Sequence, residues 1–175
     1  MTKMLSIEHP INIIGAGRDQ TFVKGYGFWI KGEKEEGKNV VLKDMTISET
    51  SESGVVGMYG LSWLCDSLTI TQCGNGVVAN NTKGRLINCV ITKCEKSGIY
   101  CNSNALIELE GDQTKVDGNV TSGDSDYYGL ETFSTSSRIH LLFPLTKESV
   151  STNNYGGRNY IGTGTIKTVD TFESL

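Results

Sequence analysis

Apolar residues along this chain fall in runs of two to four, and Gly, Asn, Asp or Ser interrupts each run within a few positions. Runs that short do not make the continuous apolar face of a helix, but they suit short strands closed by turns. Set in rows of 22, the runs fall into columns. Leu42, Leu64 and Leu86 share one column, and Asp44, Asp66 and Asn88 share another. Gly54, Gly76 and Gly98 open a third, each followed by an apolar pair (Val55-Val56, Val77-Val78, Ile99-Tyr100). A unit of this size has too little apolar surface to bury alone, so copies must stack into a solenoid. In-register stacking sets equivalent residues about 4.8 Å apart. The Leu and Val columns then point inward, and the glycines mark one turn per rung. The Asp/Asn column takes turn backbone and satisfies turn amides of neighbouring coils. On this reading an Asp at position 64 unfolds the chain.

The flanks follow the period less closely. Ile11 to Gly15 and Phe28-Trp29-Ile30 read as an earlier coil, with Leu5 and Ile7 the remnant of another. Ala105 to Leu109 and Val116 read as a later row with decayed register. Residues 1–119 are therefore expected to form the coils. From Val120 the columns are lost, and 120–175 is expected to be an irregular final coil and cap of the same domain.

Composition agrees with strands. Glycine numbers 21 of 175, near twice the usual share of about 7%, and Ala, the best helix former, occurs three times. A net charge of -4 gives no basic footprint for nucleic acid. No apolar run approaches the roughly 18 residues of a membrane span, and Met1 to Pro10 carries no signal-like core, which leaves the compartment open. The five cysteines, Cys65, Cys73, Cys89, Cys94 and Cys101, contain no C-x-x-C spacing and lie far from His9 and His140. They read as buried, reduced thiols rather than a zinc site. Cys73 and Cys94 fall on adjacent rungs and are the pair to test for a bridge.

The Pro10 to Asp19 segment (PINIIGAGRD), the three Leu…Asp/Asn…Gly-Val rows and Ser103 to Gly111 (SNALIELEG) together resemble the right-handed parallel β-helix proteins of the pectin-lyase-like superfamily. The resemblance covers roughly residues 5–119. It implies an all-β, right-handed parallel β-helix solenoid of about five coils. It does not imply one activity, because that superfamily mixes lyases, hydrolases, esterases, epimerases and non-catalytic repeat proteins.

The catalytic signatures of those enzymes do not map onto this chain. There is no Asp-Asp with a Gly-His-Gly, no Arg-x-Pro-x-x-Arg, and Tyr26-Gly27-Phe28 departs from the epimerase motif at Trp29. Ile13 to Gly17 lacks the third glycine and the following helix of a dinucleotide fingerprint. No catalytic residue, metal site or cofactor is expected. The remaining binding candidates are Asp124, Asp126, Tyr127 and Tyr128. The two aspartates open like a calcium loop, but Thr135 stands where the bidentate Glu belongs. The tyrosines are suited to stacking on sugar rings. The leading expectation is a non-catalytic structural or assembly module, as an oligomer or part of a larger assembly. The alternatives are a protein that binds or processes a polysaccharide and an intracellular protein-interaction scaffold.

Overall fold

The computed structural model describes residues 4–172 and 174–175. The chain winds through seven coils. Coil one holds β1 (Met4–Ile7), β2 (Asn12–Ile14) and β3 (Phe22–Lys24); coil two holds β4 (Gly27–Lys31) and β5 (Val40–Thr50). Coil three holds β6 (Val55–Met58) and β7 (Trp63–Cys73); coil four holds β8 (Val77–Asn80), β9 (Lys83–Ile87) and β10 (Val90–Thr92). Coil five is β11 (Ile99–Asn102), β12 (Leu106–Glu110) and β13 (Lys115–Asp117). Coil six is β14 (Leu130–Thr132), β15 (Arg138–Leu142), one helical turn α1 (Lys147–Val150) and β16 (Ser151–Thr152). Coil seven is β17 (Tyr160–Gly162) and β18 (Thr165–Val169). Every pairing is parallel, between a strand and its equivalent one coil away.

The coil has three faces. Face A is the seven-stranded sheet β1-β4-β6-β8-β11-β14-β17. The second sheet bends into two faces, because β5 and β7 each turn mid-strand at a left-handed residue, Asp44 and Ser67. Face B1 contains β2, the first halves of β5 and β7, β9, β12, β15 and β18; face B2 contains β3, the second halves of β5 and β7, β10, β13 and β16. Alternate residues of each face point inward and stack into buried rows. These are Phe28–Val55–Val77–Ile99–Leu130, Leu42–Cys65–Leu86–Leu109–Leu141 and Ile47–Ile70–Ile91–Val116.

Two members of the expected ladder move. Leu64 pairs with Val41 and Arg85 and is half-buried on the outer surface, while Cys65 takes the inward place between Leu42 and Leu86. Asp66 sits one residue before the B1-to-B2 corner, and Ser67 adopts the left-handed backbone (φ 54) that Asp44 (φ 54) and Asn88 (φ 50) share. The Asp66 carboxylate instead accepts from Lys43 Nζ at 2.7 Å and from Ser67 Oγ at 2.8 Å. The glycine column also has a different cause from the one expected. None of Gly54, Gly76 and Gly98 has positive φ. A Cβ at Gly76 would instead overlap the γ-carbon of Ile91 and the carbonyl oxygen of Gly98, so the column is glycine because neighbouring coils close on it.

The B2-to-A corner is the most regular turn. Gly25, Glu49, Gln72, Lys93, Gly118 and Asn153, each at the end of its B2 stretch, all have φ between 53° and 73°. In coils two to six the next residue is buried, which gives the column Thr50–Cys73–Cys94–Asn119–Asn154, whereas Tyr26 of coil one is exposed. Within it, Asn119 Oδ1 accepts from Cys94 N at 3.1 Å and Asn154 Oδ1 accepts from Asn119 N at 2.9 Å. Amide ladders of this kind satisfy backbone donors that a solenoid corner would leave unpaired.

Residues 120–175 carry strands of coils six and seven, so there are about seven coils rather than five. Ile107–Ile139–Ile166 and Val116–Ser151 continue earlier rows in register. Only the corners between them are long.

Candidate functional site

Face B1 carries a charged row with a buried ion pair. Because strands alternate sides, Arg85 of β9, Glu108 of β12, His140 of β15 and Lys167 of β18 all point outward and stack in register. Glu108 is fully buried. Its Oε2 accepts from Arg85 Nε at 2.9 Å and Nη2 at 2.7 Å, and its Oε1 lies 3.3 Å from Lys83 Nζ. The burial comes from the C-terminal segment. The Phe172 ring lies over the Arg85 guanidinium at 4.9 Å, and the Ser174 carbonyl accepts from Lys83 Nζ at 2.7 Å. A carboxylate held by a guanidinium fork and an ammonium is a structural anchor, and breaking such a pair strands a buried charge.

Beside this row, at the A-to-B1 corner, an open groove of about 260 Å³ is lined by Lys34, Lys83, Arg138, Asn81 and Asn104. Three cations among amides make a surface suited to anions and to hydroxyl-rich ligands. No short motif marks these residues. Their signal in the sequence is charge at outward strand positions of successive coils, Lys83 and Arg85 in KGRLI and Glu108 in LIELE.

Asp124, Asp126, Tyr127 and Tyr128 share the long B2-to-A corner of coil five. Asp124 Oδ1 accepts from Asp126 N at 3.0 Å, which closes a local turn, and both aspartates are exposed. Lys96 Nζ stands over the Tyr127 ring at 5.6 Å, while Tyr128 is fixed by its backbone, donating to Ser97 Oγ at 3.4 Å. The Tyr155 ring lies against Gly123 of the same corner, and Tyr160 is on coil seven beside Glu148, to which its hydroxyl donates at 3.1 Å. Among the described residues, no group of three or more His, Cys, Asp or Glu is placed to hold a metal ion.

The N-terminal end is a third surface, where the sequence already reads Leu5 and Ile7 as the remnant of a coil. Among the described residues, β1 pairs only with β4, and β2 and β3 pair only with β5. Leu5, Ile11, Ile14, Phe22 and Tyr26 are all exposed around this coil, Ile14 to 63%. The edge at the other end, β16 to β18, mixes Ser, Thr and Lys with Tyr160, Ile161, Ile166 and Val169, and its coil exposes Tyr155 and Ile161.

A family model described as right handed beta helix region matches residues 11–143. No curated protein and no solved structure matches the chain. The matched span runs from just before β2 to just past β15, well over half the sequence, and its parallel coils are those described above; the chain belongs to the right-handed β-helix family.

Proposed function

We propose that this β-helix is a non-catalytic assembly module that docks through its N-terminal end. The supporting observation is the combination found there, three strand edges paired on one side and five exposed apolar side chains. An unpaired parallel edge offers a row of N–H and C=O groups to another chain, and apolar neighbours add burial when it is covered. The opposite end exposes fewer large apolar side chains, Tyr155 and Ile161 against five, so the arrangement that covers most apolar surface is N-terminal end to N-terminal end, a closed two-fold pair. Mass in solution across a concentration series tests this. A dimer is expected, and Ile14→Lys with Phe22→Lys, both at exposed positions, should return it to a monomer whose circular dichroism is unchanged and whose melting temperature no longer depends on concentration. A wild-type chain that stays monomeric throughout overturns the proposal.

The groove formed by Lys34, Lys83 and Arg138 favours a second reading, the binding of an acidic polysaccharide. Acidic polysaccharides would be screened for binding and for new unsaturated ends. Binding lost in Arg138→Glu supports this reading, and silence on both measures removes it.

A further inference from the structure

The buried polar column at the B2-to-A corner contains two sulfurs in sequence. Thr71 and Thr92 pair in register, and two residues further on Cys73 and Cys94 occupy the same place in adjacent coils. Their backbones are tied together, since Glu95 N donates to the Cys73 carbonyl at 2.9 Å and Lys96 N to the Gly74 carbonyl at 2.8 Å. The two thiols make the same local contact, Cys73 donating to the Thr71 carbonyl at 3.3 Å and Cys94 to the Thr92 carbonyl at 3.7 Å. In-register residues on neighbouring parallel strands are about 4.8 Å apart, inside the Cα range a disulfide spans.

We infer that Cys73 and Cys94 are a peroxide-oxidisable dithiol that closes a disulfide between coils three and four of the folded chain. Geometry selects this pair. Cys101 stacks between Ala79 and Thr132. Cys65 is in register with Leu42 and Leu86, and Cys89 is offset from it across the corner, its thiol directed at the Cys65 carbonyl at 3.5 Å. The environments divide in the same way. The hydrogen bond from Cys94 holds the Cys73 thiol below its ordinary range against burial, with backbone groups of Thr50 and Thr71 assisting. Burial pushes Cys89 and Cys101 up to about 12. Cys73 is therefore the attacking sulfur and Cys94 the resolving one.

The chemistry needs one small neutral oxidant, hydrogen peroxide. The Cys73 sulfur attacks a peroxide oxygen, the O–O bond breaks, and the leaving hydroxide takes the thiol proton, giving a sulfenic acid and water. The Cys94 sulfur then attacks Cys73 Sγ, the S–O bond breaks, and the hydroxyl leaves with the Cys94 proton as a second water. Two thiols are oxidised by two electrons and one peroxide is reduced.

The full chain would be treated with hydrogen peroxide while circular dichroism confirms that it stays folded. Its intact mass should fall by two hydrogens, and a non-reducing peptide map should join Cys73 to Cys94. Cys94→Ser should stop at a Cys73 sulfenic acid that dimedone traps, and Cys73→Ser should leave Cys94 a thiol. If either variant fails to fold, the wild-type map decides alone. Persistent thiols in the folded wild type, a link at another pair, or a link that forms only in urea each overturn the assignment.

Discussion

Glu131 of β14 pairs in register with Tyr100, and its largely buried carboxylate accepts one hydrogen bond, from Ser97 Oγ at 2.5 Å. Burial raises its pKa and the nearby charge of Asp126 adds to this, while the Ser97 bond opposes both. A carboxyl with a raised folded pKa binds more protons in the native chain than in the unfolded one. Its contribution to stability is therefore fully present below 4.5, its unfolded value, and is lost as pH rises through the folded value. Glu131→Gln keeps the shape and a hydrogen-bonding oxygen while removing the charge. Thermal melts should show the variant more stable than wild type at neutral pH, with the advantage gone below pH 4.5. Glu108 differs by its partners: Arg85 and Lys83 supply on face B1 the opposite charge that Glu131 lacks.

Strand register explains which parts of the sequence pattern were readable. The glycine column holds at a spacing of 22 because face A keeps that spacing from β6 through β8 to β11. Faces B1 and B2 do not. Leu42 pairs with Cys65 and Cys65 with Leu86, a step of 23 followed by one of 21. The stretch from Val55 to Trp63 is one residue longer than its equivalent from Val77 to Gly84, and Cys73 to Val77 is one shorter than Cys94 to Ile99. The two shifts cancel within one coil, so a fixed period picks Leu64 in place of its neighbour. A slip of one residue exchanges the faces of a strand. Leu64→Asp should therefore leave the melting temperature close to wild type, the new carboxylate lying beside Arg85. Cys65→Asp puts an unpaired charge in the core and should cost more than about 4 kcal/mol, enough to abolish the cooperative melt. The charged row of face B1 was hidden for a related reason. Arg85, Glu108 and His140 are 23 and 32 residues apart, so no constant spacing displays them.

At the scale of the whole molecule, the family and fold were legible from the three regular central coils, but the extent of the solenoid was not. Insertions after Asp117, Leu142 and Thr152 break the period, yet the strands between them rejoin the same rows. Burial and parallel pairing fix the strands, and nothing in that physics fixes the corners. The exposed apolar residues of the N-terminal coil were only half readable. Leu5 and Ile7 read as a coil remnant, but which strands are paired on one side among the described residues is a property of the stack.

The left-handed residue at the end of each B2 stretch, with the residue that follows it, closes the corner before any length variation begins. From that point the path to face A is four residues in coil two, Ser51 to Gly54, and ten in coil five, Val120 to Gly129. Cargo spliced into this stretch, between Ser122 and Asp126 for instance, would hang outside the barrel wall. The solenoid is in this sense a rail with mounting points, able to present foreign peptides in single file at the pitch of its coils.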